Sequence, residues 1–501
     1  MNAEPTPSEL APGQAALQAF LAARRSLARE GPADIAPWEI GAYLTDILDR
    51  ALSALGADHP RVSVVAVGGF GRGELCLHSD IDVLLLHTEP VPEESIRAIL
   101  YPLWDAGLRV GHATRTVRST LAFARDDLST LCSLLSARLL VGPAEPFTDL
   151  ITGLGKLLAG ARSGLPEQLA AQEQAVWARE PFALQELDLK LGRGGLRTLH
   201  RLDWDRRRSE LLGEAPHVAE QPAEQEARRT LLAARQALHA VQGRASDRFV
   251  IELRSAVANW LGRDPIELAT EVYRAARRVD GIASVRWGRV RATGTDPIAH
   301  AGLSVARFVR SRWTRGEAAA TPLTLARSAA ASGQGGHLSR WEWELAERAS
   351  RPEWTAGNRA GLLSLLAAGR TGWDALLGLW ESGWLPRALP ELGHVAGLAQ
   401  AAPFHRHPTD AHLGATVANV VELADSAIGW CGEIAEQIGG LDELLLSAFL
   451  HDIGKGLEGD HSQVGADLAV SLLTRTGFGV ATAELVGRAV LHHLLLPETA
   501  F

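Results

Sequence analysis

The apolar positions along the chain follow two different patterns, one typical of helices and one typical of strands. Apolar residues recur at the helical period through residues 12–55, with a break near Gly31–Pro37, and through most of residues 200–400. Apolar runs of strand length are fewer, and strands are predicted at Arg61–Val67, Ile81–His87 and Arg109–Val117. The chain is therefore predicted to be mostly helical, with its strands near the N-terminal end.

Several further segments complete this division of the chain. Helices are predicted at residues 93–107 and 119–141, and a short extended piece at Gln185–Leu191 ends in the glycine loop GRGG. Ala318–Gly336 is rich in Ala, Thr, Ser and Gly, and we predict a linker there. Residues 401–501 are predicted to be helical and are rich in histidine.

Composition and charge narrow the possible classes of protein. The chain has 501 residues, 46% of them hydrophobic and 22% charged, which is sufficient for several ordinary folded domains. The formal net charge of −9 argues against a surface that grips duplex nucleic acid. The N-terminal sequence does not resemble a signal peptide, and no run of about 18 apolar residues predicts a membrane span.

The three cysteines, Cys76, Cys132 and Cys431, lie far apart in the sequence and form no CxxC pair. Disulfides and a cysteine zinc site are therefore not expected, and a cytoplasmic location is predicted.

The most informative stretch is VGGFGRGELCLHSDIDVLLL, from Val67 to Leu86. Its double glycine, Gly68-Gly69, directly follows a predicted strand. A turn without side chains allows backbone N–H groups to approach an anionic ligand. The GxxxxGK[ST] and GxGxxG patterns are absent, which argues against a P-loop and against a Rossmann site.

Two aspartates, Asp80 and Asp82, flank Ile81 just before the apolar run Val83–Leu86. On a strand, positions i and i+2 point to the same face, about 7 Å apart along the chain. Two carboxylates placed in this way can bind Mg²⁺ for phosphoryl transfer. The alternative is a solvated strand end after a Ser-Asp turn, which the double glycine upstream disfavours.

This stretch resembles the nucleotidyltransferase superfamily typified by DNA polymerase β, in which a Gly-Gly turn precedes Asp-x-Asp on the next strand. The resemblance implies an α+β fold with a small mixed-sheet nucleotidyltransferase core. It also implies Mg²⁺ bound to Asp80 and Asp82. The residues implied to hold the nucleotide phosphates here are Gly68, Gly69, Arg72 and Ser79.

The superfamily usually adds a third carboxylate on a later strand. The predicted strand Arg109–Val117 offers His112 but no carboxylate, whereas Asp188 lies in an apolar step just before the GRGG loop. We therefore predict that Asp188 completes the site and positions or activates the acceptor hydroxyl. Lys190 and Arg197 are predicted to face the triphosphate as charged donors, with a solvated loop as the alternative.

Three blocks narrow the resemblance further: VGGFGRGELCLHSDID, LWDAGLRVGHATRTV and DLKLGRGGLR. Together they are similar to the uridylyltransferase/uridylyl-removing enzymes of PII nitrogen signalling. The similarity implies transfer of UMP, or alternatively AMP, from UTP or ATP to a tyrosine of a PII protein. One departure is Thr198, where that family usually has an acidic residue after GGLR.

The second cluster of candidate residues lies in the segments FHRHPTDAHLGATVANVVELA, LLLSAFLHDIGKGLEGDHS and TAELVGRAVLHHLL. Thr409 is predicted to cap the first helix, and Gly454 or Gly456 is predicted to end the second. Imidazoles combined with a carboxylate suit Zn, Mn, Fe or Ni, and the pattern resembles the HD-domain phosphohydrolases. The residues assigned to metal or catalytic roles are His412, His451, Asp452, His461 and His493. A structural role is the preferred interpretation for His405, His407 and His492.

An HD domain normally closes with a later aspartate, and the nitrogen-signalling family carries glutamine-binding ACT domains after it. Neither is found before Phe501, so we predict a fragment that hydrolyses nucleotidylated PII poorly and responds to glutamine only if ACT domains are present. The predicted domains are a nucleotidyltransferase core at 1–200, a helical region completing the transferase at 201–320, an all-α connector at 321–400 and an incomplete all-α HD domain at 401–501.

Two other functions are consistent with the motifs. A tRNA-end nucleotidyltransferase also combines this fold with an HD domain, but the acidic balance disfavours a nucleic-acid partner. A catalytically silent nucleotide-sensing scaffold would follow if the third carboxylate is lost.

Overall fold

The computed structural model of the protein describes residues 11–32, 34–160, 164–216, 219–287, 321–331, 336–400, 406–425, 433–434, 437, 441–495 and 499. These residues form two compact units. The first contains residues up to 168 together with 188–191 and 199–265, and the second contains 169–187, 192–198 and residues from 266 onwards. This division differs from the four domains drawn from the sequence, whose boundaries stay predictions.

A four-stranded mixed sheet lies in the first unit, as the α+β prediction requires. Its strands are β1 (Ser63–Ala66), β2 (Ile81–Leu86), β3 (Val110–Arg115) and β4 (Arg138–Val141). The strand order is β3-β2-β1-β4, with β1 antiparallel to both of its neighbours and β2 parallel to β3. The edge position of β3 next to β2 matters for the site, because Asp82 pairs in register with Gly111.

The fourth strand corrects the prediction of one continuous helix over residues 119–141. The structure has helices at Val117–Asp126 and Leu128–Leu134, and then β4. Asp127 interrupts the helix because its side chain accepts a hydrogen bond from Thr130 N, which starts a new helix. The short run that follows pairs with β1, so a tertiary contact decides its conformation.

Helices surround this sheet in the first unit. They are Pro12–Glu30, Ile40–Gly56, Gly68–Gly71, Glu93–Asp105, Val117–Asp126, Leu128–Leu134, Ala144–Ala159, Pro222–Gln242 and Arg254–Leu261, with 3₁₀ turns at Pro37–Glu39 and Ile251–Leu253. Residues 165–249 also contain two further helices and two strands of two residues each, namely Leu165–Arg179, Leu196–Leu211, Leu187–Asp188 and Arg248–Phe249. The predicted break near Gly31–Pro37 is found between the first two helices.

The core of the first unit fixes the strand that carries the aspartates. Val83 and Leu85 of β2 are each at most 2% exposed and belong to the same core cluster as Leu48 and Leu103 of the neighbouring helices. Burial of each such side chain contributes about 1.5–3 kcal/mol. The position of β2, and hence of Asp82, is therefore set by the core of the unit.

The second unit is helical and is built around a cluster of tryptophans. Its helices are Pro265–Trp287, Pro322–Ala331, Arg340–Arg348, Ala356–Ala367, Gly369–Glu381, Trp384–Ala388, Thr409–Asp425, Asp442–Leu450, His461–Arg475 and Val480–Leu491, with a 3₁₀ turn at Pro390–Leu392. The ring of Trp373 lies 6.5 Å from that of Trp380 and 6.3 Å from that of Phe449. Phe449 precedes His451 by two residues, so this packing fixes the helix that leads to the histidine cluster.

The predicted linker Ala318–Gly336 contains a helix, Pro322–Ala331, among its described residues. Alanine is the strongest helix former, and proline at the first helical position costs little. The composition that suggested a linker therefore also favours a helix once Leu323 and Ala326 can be buried. No helix of the described chain is long and apolar enough to cross a membrane.

Candidate active sites

The glycine turn places its backbone against the aspartate strand. Val67 N donates to the carbonyl of Asp82 at 3.1 Å, and the one-turn helix Gly68–Gly71 follows directly. Gly68 adopts a φ of +59°, and a Cβ at this position would lie 2.8 Å from Asp82 Oδ2. The turn therefore requires glycine for two reasons, its left-handed backbone and the closeness of the Asp82 carboxylate.

A second glycine borders the same carboxylate from the other side. Gly111 lies on β3 opposite Asp82, and a Cβ there would lie 2.5 Å from Asp82 Oδ1. Two glycines from different segments of the chain thus leave the space that the Asp82 carboxylate occupies.

The electrostatics of Asp82 fit a cation site. Burial and the neighbouring Asp80 raise the pKa of Asp82, whereas Lys190 and Arg72 act to lower it. Two neighbouring carboxylates that repel each other, one exposed and one half-buried, favour a divalent cation, because it neutralises both. The donor set therefore fits a divalent cation, with Asp80 and Asp82 as the residues that would hold it.

The other residues predicted around the nucleotide have partners of their own. Arg109 Nη1 lies 3.8 Å from Asp80 Oδ1, and both side chains are largely exposed. Arg72 Nε donates to Glu74 Oε2 at 2.8 Å. The Ser79 hydroxyl accepts from Cys76 N at 3.0 Å and so closes the loop that leads into the aspartates. The roles of Arg72 and Ser79 in phosphate binding stay predictions.

Glu74 is the centre of a buried charge network that the sequence did not reveal. Its carboxylate contacts Arg72, His200 Nε2 at 2.8 Å and Arg228 Nη1 at 2.7 Å. Burial alone would raise the pKa of Glu74, but these cations outweigh it and hold the pKa well below its usual value. His200 and Arg228 are remote from Glu74 in sequence, so no local pattern could identify them as its partners.

Asp188 lies in the first unit, and its side chain accepts hydrogen bonds from the backbone of the turn that follows it. Its Oδ1 accepts from Lys190 N at 2.9 Å and from Leu191 N at 2.7 Å. Among the described residues, Asp188 does not join Asp80 and Asp82 in a group whose ligand atoms all lie within 4.8 Å of one another. Lys190 is nevertheless close enough to act on the pKa of Asp82. The third-carboxylate role of Asp188 stays a prediction.

The GRGG loop proves to be a packing element of the second unit. Gly194 has a φ of +70°, and a Cβ there would lie 1.9 Å from the carbonyl of Ala276. Arg193 is buried and pairs with Asp280 at 2.9 Å and Asp374 at 3.5 Å. The loop between Lys190 and Arg197 is thus held by close packing and buried ion pairs.

Arg197 and Thr198 follow this loop in the second unit. Arg197 is half-buried, and its predicted contact with a triphosphate is untested. Thr198, the departure noted in the sequence, is buried and donates its hydroxyl proton to Glu173 Oε1 at 2.9 Å. A carboxylate therefore does face this position, but it is supplied by a different helix.

The structure brings the predicted histidines of the second unit together around Asp452. His451 Nε2 and His412 Nε2 lie 3.4 Å and 3.5 Å from Asp452 Oδ2, and His493 Nε2 lies 3.4 Å from Oδ1. Ligand atoms of His412, His451 and Asp452 form one group within 4.8 Å of one another, and those of Asp452, His461 and His493 form another.

The orientation of these imidazoles fits a metal ion. Nδ1 of His451 faces the carbonyl of Ala448 at 3.0 Å, and Nδ1 of His493 faces that of Val490 at 2.7 Å. Because Nδ1 donates its proton in these contacts, Nε2 is the ring nitrogen of His451 and His493 that faces Asp452. Oδ1 of Asp452 is buried without a hydrogen bond among the described atoms, as expected for a metal ligand in a ligand-free chain.

The charge of Asp452 is strongly stabilised. Burial would raise the pKa of this carboxyl, but His451, His493 and Lys455, whose Nζ lies 2.7 Å from Oδ2, hold it far below the usual range. Asp452 is therefore ionised at neutral pH, as metal coordination requires.

Two local predictions about these helices were wrong. Thr409 is the first residue of its helix, and its hydroxyl bonds Gln400 and the carbonyl of Leu398 instead of capping the helix. The helix before His451 ends at Leu450, ahead of both glycines proposed to end it. His412 nevertheless lies in the first turn of its helix and His461 begins the next, as the cluster requires.

Comparison with known proteins places a domain family on each site. Residues 48–121 match a nucleotidyltransferase domain, residues 166–285 match GlnD PII-uridylyltransferase, and residues 428–500 match an HD domain. Asp82 lies in the first match, Asp188 in the second and His451 in the third, whereas His412 precedes the third. Nucleotidyltransferase and HD domains generally use divalent metals.

The chain is similar to curated bifunctional uridylyltransferase/uridylyl-removing enzymes along nearly all of its length. It is 35% identical over 96% of its length to the enzyme of Streptomyces coelicolor, 31% over 91% to that of Mycobacterium tuberculosis and 30% over 91% to that of Vibrio cholerae. It covers 60%, 58% and 57% of those relatives respectively. The family resemblance seen in the motifs is thus confirmed, and the chain spans about three fifths of the length of these relatives.

Proposed function

We propose that this chain, a homologue of the bifunctional uridylyltransferase/uridylyl-removing enzymes, transfers UMP from UTP to a tyrosine of a PII signalling protein and removes it again by hydrolysis. The observation that carries the transferase half is the cradle of Asp82, which Gly68 and Gly111 form on either side of its carboxylate. The names of the similar enzymes suggest the substrate, and the geometry around Asp82 supports the choice of site.

In the transfer step, the tyrosine oxygen attacks the α-phosphorus of UTP, its proton is lost, and pyrophosphate leaves. Asp80 and Asp82 would hold Mg²⁺, which would neutralise charge on the phosphates when bound. Asp188 positions the tyrosine hydroxyl. The residues that contact the phosphates are Gly68, Gly69, Arg72, Ser79, Lys190 and Arg197.

In the removal step, the second unit hydrolyses the phosphodiester between UMP and tyrosine. The residues that would hold a divalent metal of the Mn, Fe or Zn type are His412, His451, Asp452, His461 and His493, and such an ion would activate water for hydrolysis when bound. The converging Nε2 atoms around Asp452 support this half of the proposal.

The transferase half is tested by incubating the purified chain with Mg²⁺, α-labelled UTP or ATP, and either PII or tRNA. We expect label on PII from UTP, and no label when the acceptor tyrosine of PII is replaced by phenylalanine. The matched control is the variant Asp80→Asn/Asp82→Asn, which keeps the shape of the side chains but removes both charges. Label on tRNA, label from ATP alone, or equal labelling by this variant would each contradict a named part of the proposal.

The hydrolase half is tested separately with PII that already carries labelled UMP. Mn²⁺ is added, and the release of UMP is measured for the chain and for Asp452→Asn. Release that does not depend on Asp452 would contradict the assignment of the metal site without affecting the transferase half.

A further inference from the structure

The loop that leads into the aspartates is held by one face of a distant helix. Residues 74–79 connect the glycine turn to Asp80, and the structure assigns them no helix or strand. Gln236 of the helix Pro222–Gln242 grips this loop twice, because its Nε2 donates to the carbonyl of Leu75 at 2.9 Å and its Oε1 accepts from Leu77 N at 3.0 Å. Gln236 is 1% exposed.

Neighbouring residues on the same helix face extend this grip. His239 Nδ1 accepts from His78 N at 3.2 Å, and Arg235 Nη1 donates to Cys76 Sγ at 3.1 Å. His239 is a neighbour of both Arg235 and Gln236 on the helix surface, since it lies four residues after the first and three after the second. Each of residues 75–78 therefore has a backbone or side-chain atom hydrogen-bonded to the helix Pro222–Gln242.

Asp247 connects this grip to the loop of Lys190. Its Oδ1 accepts from Arg235 Nε at 2.6 Å, and its backbone carbonyl accepts from Leu189 N at 2.7 Å. The two loops that border Asp82 are thus joined through a single residue.

We propose that Gln236 is a positioning residue of the transferase site: it sets the place of Asp80 and Asp82 by holding the backbone of residues 75–77. This inference rests on the proposed transfer reaction. A loop of this length, held only by its own turn, could shift by an ångström, and a misplacement of that size costs on the order of 100-fold in rate. The paired hydrogen bonds from one buried amide remove this freedom.

The test uses an isosteric change, Gln236→Glu. The new carboxylate keeps the acceptor for Leu77 N but places a second oxygen against the carbonyl oxygen of Leu75, which repels it. We expect transfer at pH 8 to fall by roughly 10–100-fold. As the pH is lowered, the carboxyl becomes protonated and can again donate to Leu75, so the ratio of variant to parent activity should rise.

Two further variants separate positioning from a general loss of structure. Gln225→Glu makes the same change at an exposed position of the same helix and should leave the ratio near one at every pH. Gln236→Met removes both hydrogen bonds without adding charge, so its activity should be low and should not recover at acid pH. It also keeps the proposal testable if Gln236→Glu fails to fold.

A second measurement does not depend on the acceptor protein. In chains that also carry Asp452→Asn, which removes the other metal site, Mn²⁺ is titrated in the presence of a non-hydrolysable UTP analogue. Gln236→Glu should weaken Mn²⁺ binding at pH 8 by about tenfold, whereas Gln225→Glu should not. Unchanged Mn²⁺ binding and an unchanged activity ratio in Gln236→Glu would overturn the inference. A parent chain that binds Mn²⁺ normally but labels no PII would contradict the proposed function instead.

Discussion

The space beside Asp82 makes Gly111→Ala a sharp test of the transferase site. The added Cβ would lie 2.5 Å from Asp82 Oδ1, whereas ordinary contacts begin at 3.4 Å. The carboxylate must therefore move by about 0.9 Å, and a displacement of this size in a reacting geometry costs on the order of 100-fold in rate. This corresponds to about 2.7 kcal/mol of lost transition-state stabilisation.

The same substitution should not damage the fold. Gly111 does not have a positive φ, and alanine in place of glycine within a strand favours folding by roughly 0.5–1 kcal/mol. We therefore expect a chain that is at least as stable as its parent but transfers UMP about 100 times more slowly.

The measurement is single-turnover labelling of PII at saturating UTP and Mg²⁺, with thermal unfolding measured on the same samples. Gly155→Ala is the matched control, because a Cβ there meets only the carbonyl of Leu211, at an ordinary 3.7 Å, within the same unit. Near-parental transfer by a well-folded Gly111→Ala chain would show that the reaction does not need the carboxylate where the structure places it.

Three further predictions address other charged groups. Asp188→Asn keeps an oxygen that can accept the two hydrogen bonds of the turn but removes the charge. A fall in single-turnover transfer with unchanged UTP binding would support a role for the charge. An unchanged rate would leave Asp188 as a turn residue only. Glu74→Gln should reduce the loss of folding stability at acid pH. Because the folded pKa of Glu74 is depressed, its stabilisation is present above the unfolded pKa of about 4.3 and is lost as the pH falls through the folded pKa. Equal pH dependence of thermal unfolding in both chains would contradict this. Asp452→Asn should abolish binding of Mn²⁺ by the second unit while leaving transfer intact, which calorimetric titration and labelling of PII can measure, and retained binding would argue against Asp452 as a ligand.

The sequence predicts those parts of the candidate transferase site that neighbouring residues define. Asp80 and Asp82 are recognisable from their spacing beside an apolar run, although Asp80 precedes β2 in the structure, and the double glycine is recognisable because it follows a strand. Gly111 and Gln236 could not be identified in this way. Each acts through a contact with a residue distant in sequence, Asp82 for Gly111 and Leu75 for Gln236, and such contacts depend on the tertiary fold.

The errors in secondary structure have the same origin. The sequence predicts a helix over residues 138–141 because their apolar residues suit either conformation, and pairing with β1 decides for the strand. It does not predict the helix Pro322–Ala331, because small residues are typical of linkers as well as of packed helices. In both segments, local preference was weak and burial determined the outcome.

The histidine cluster shows that local chemistry can still prepare a site whose members come from separate helices. His451 and His493 each follow the last turn of a helix, and each directs Nδ1 to the carbonyl three residues earlier. Carbonyls in the last turn have no partner four residues later in their own helix, so a histidine just beyond the helix can donate its Nδ1 proton to one of them; the carbonyl of Val490 also accepts from His493 N at 3.4 Å. That bond fixes the orientation of the ring and directs Nε2 away from the helix. Packing of the helix ends is then sufficient to bring two such nitrogens to Asp452, because each imidazole is already set for coordination by its own helix.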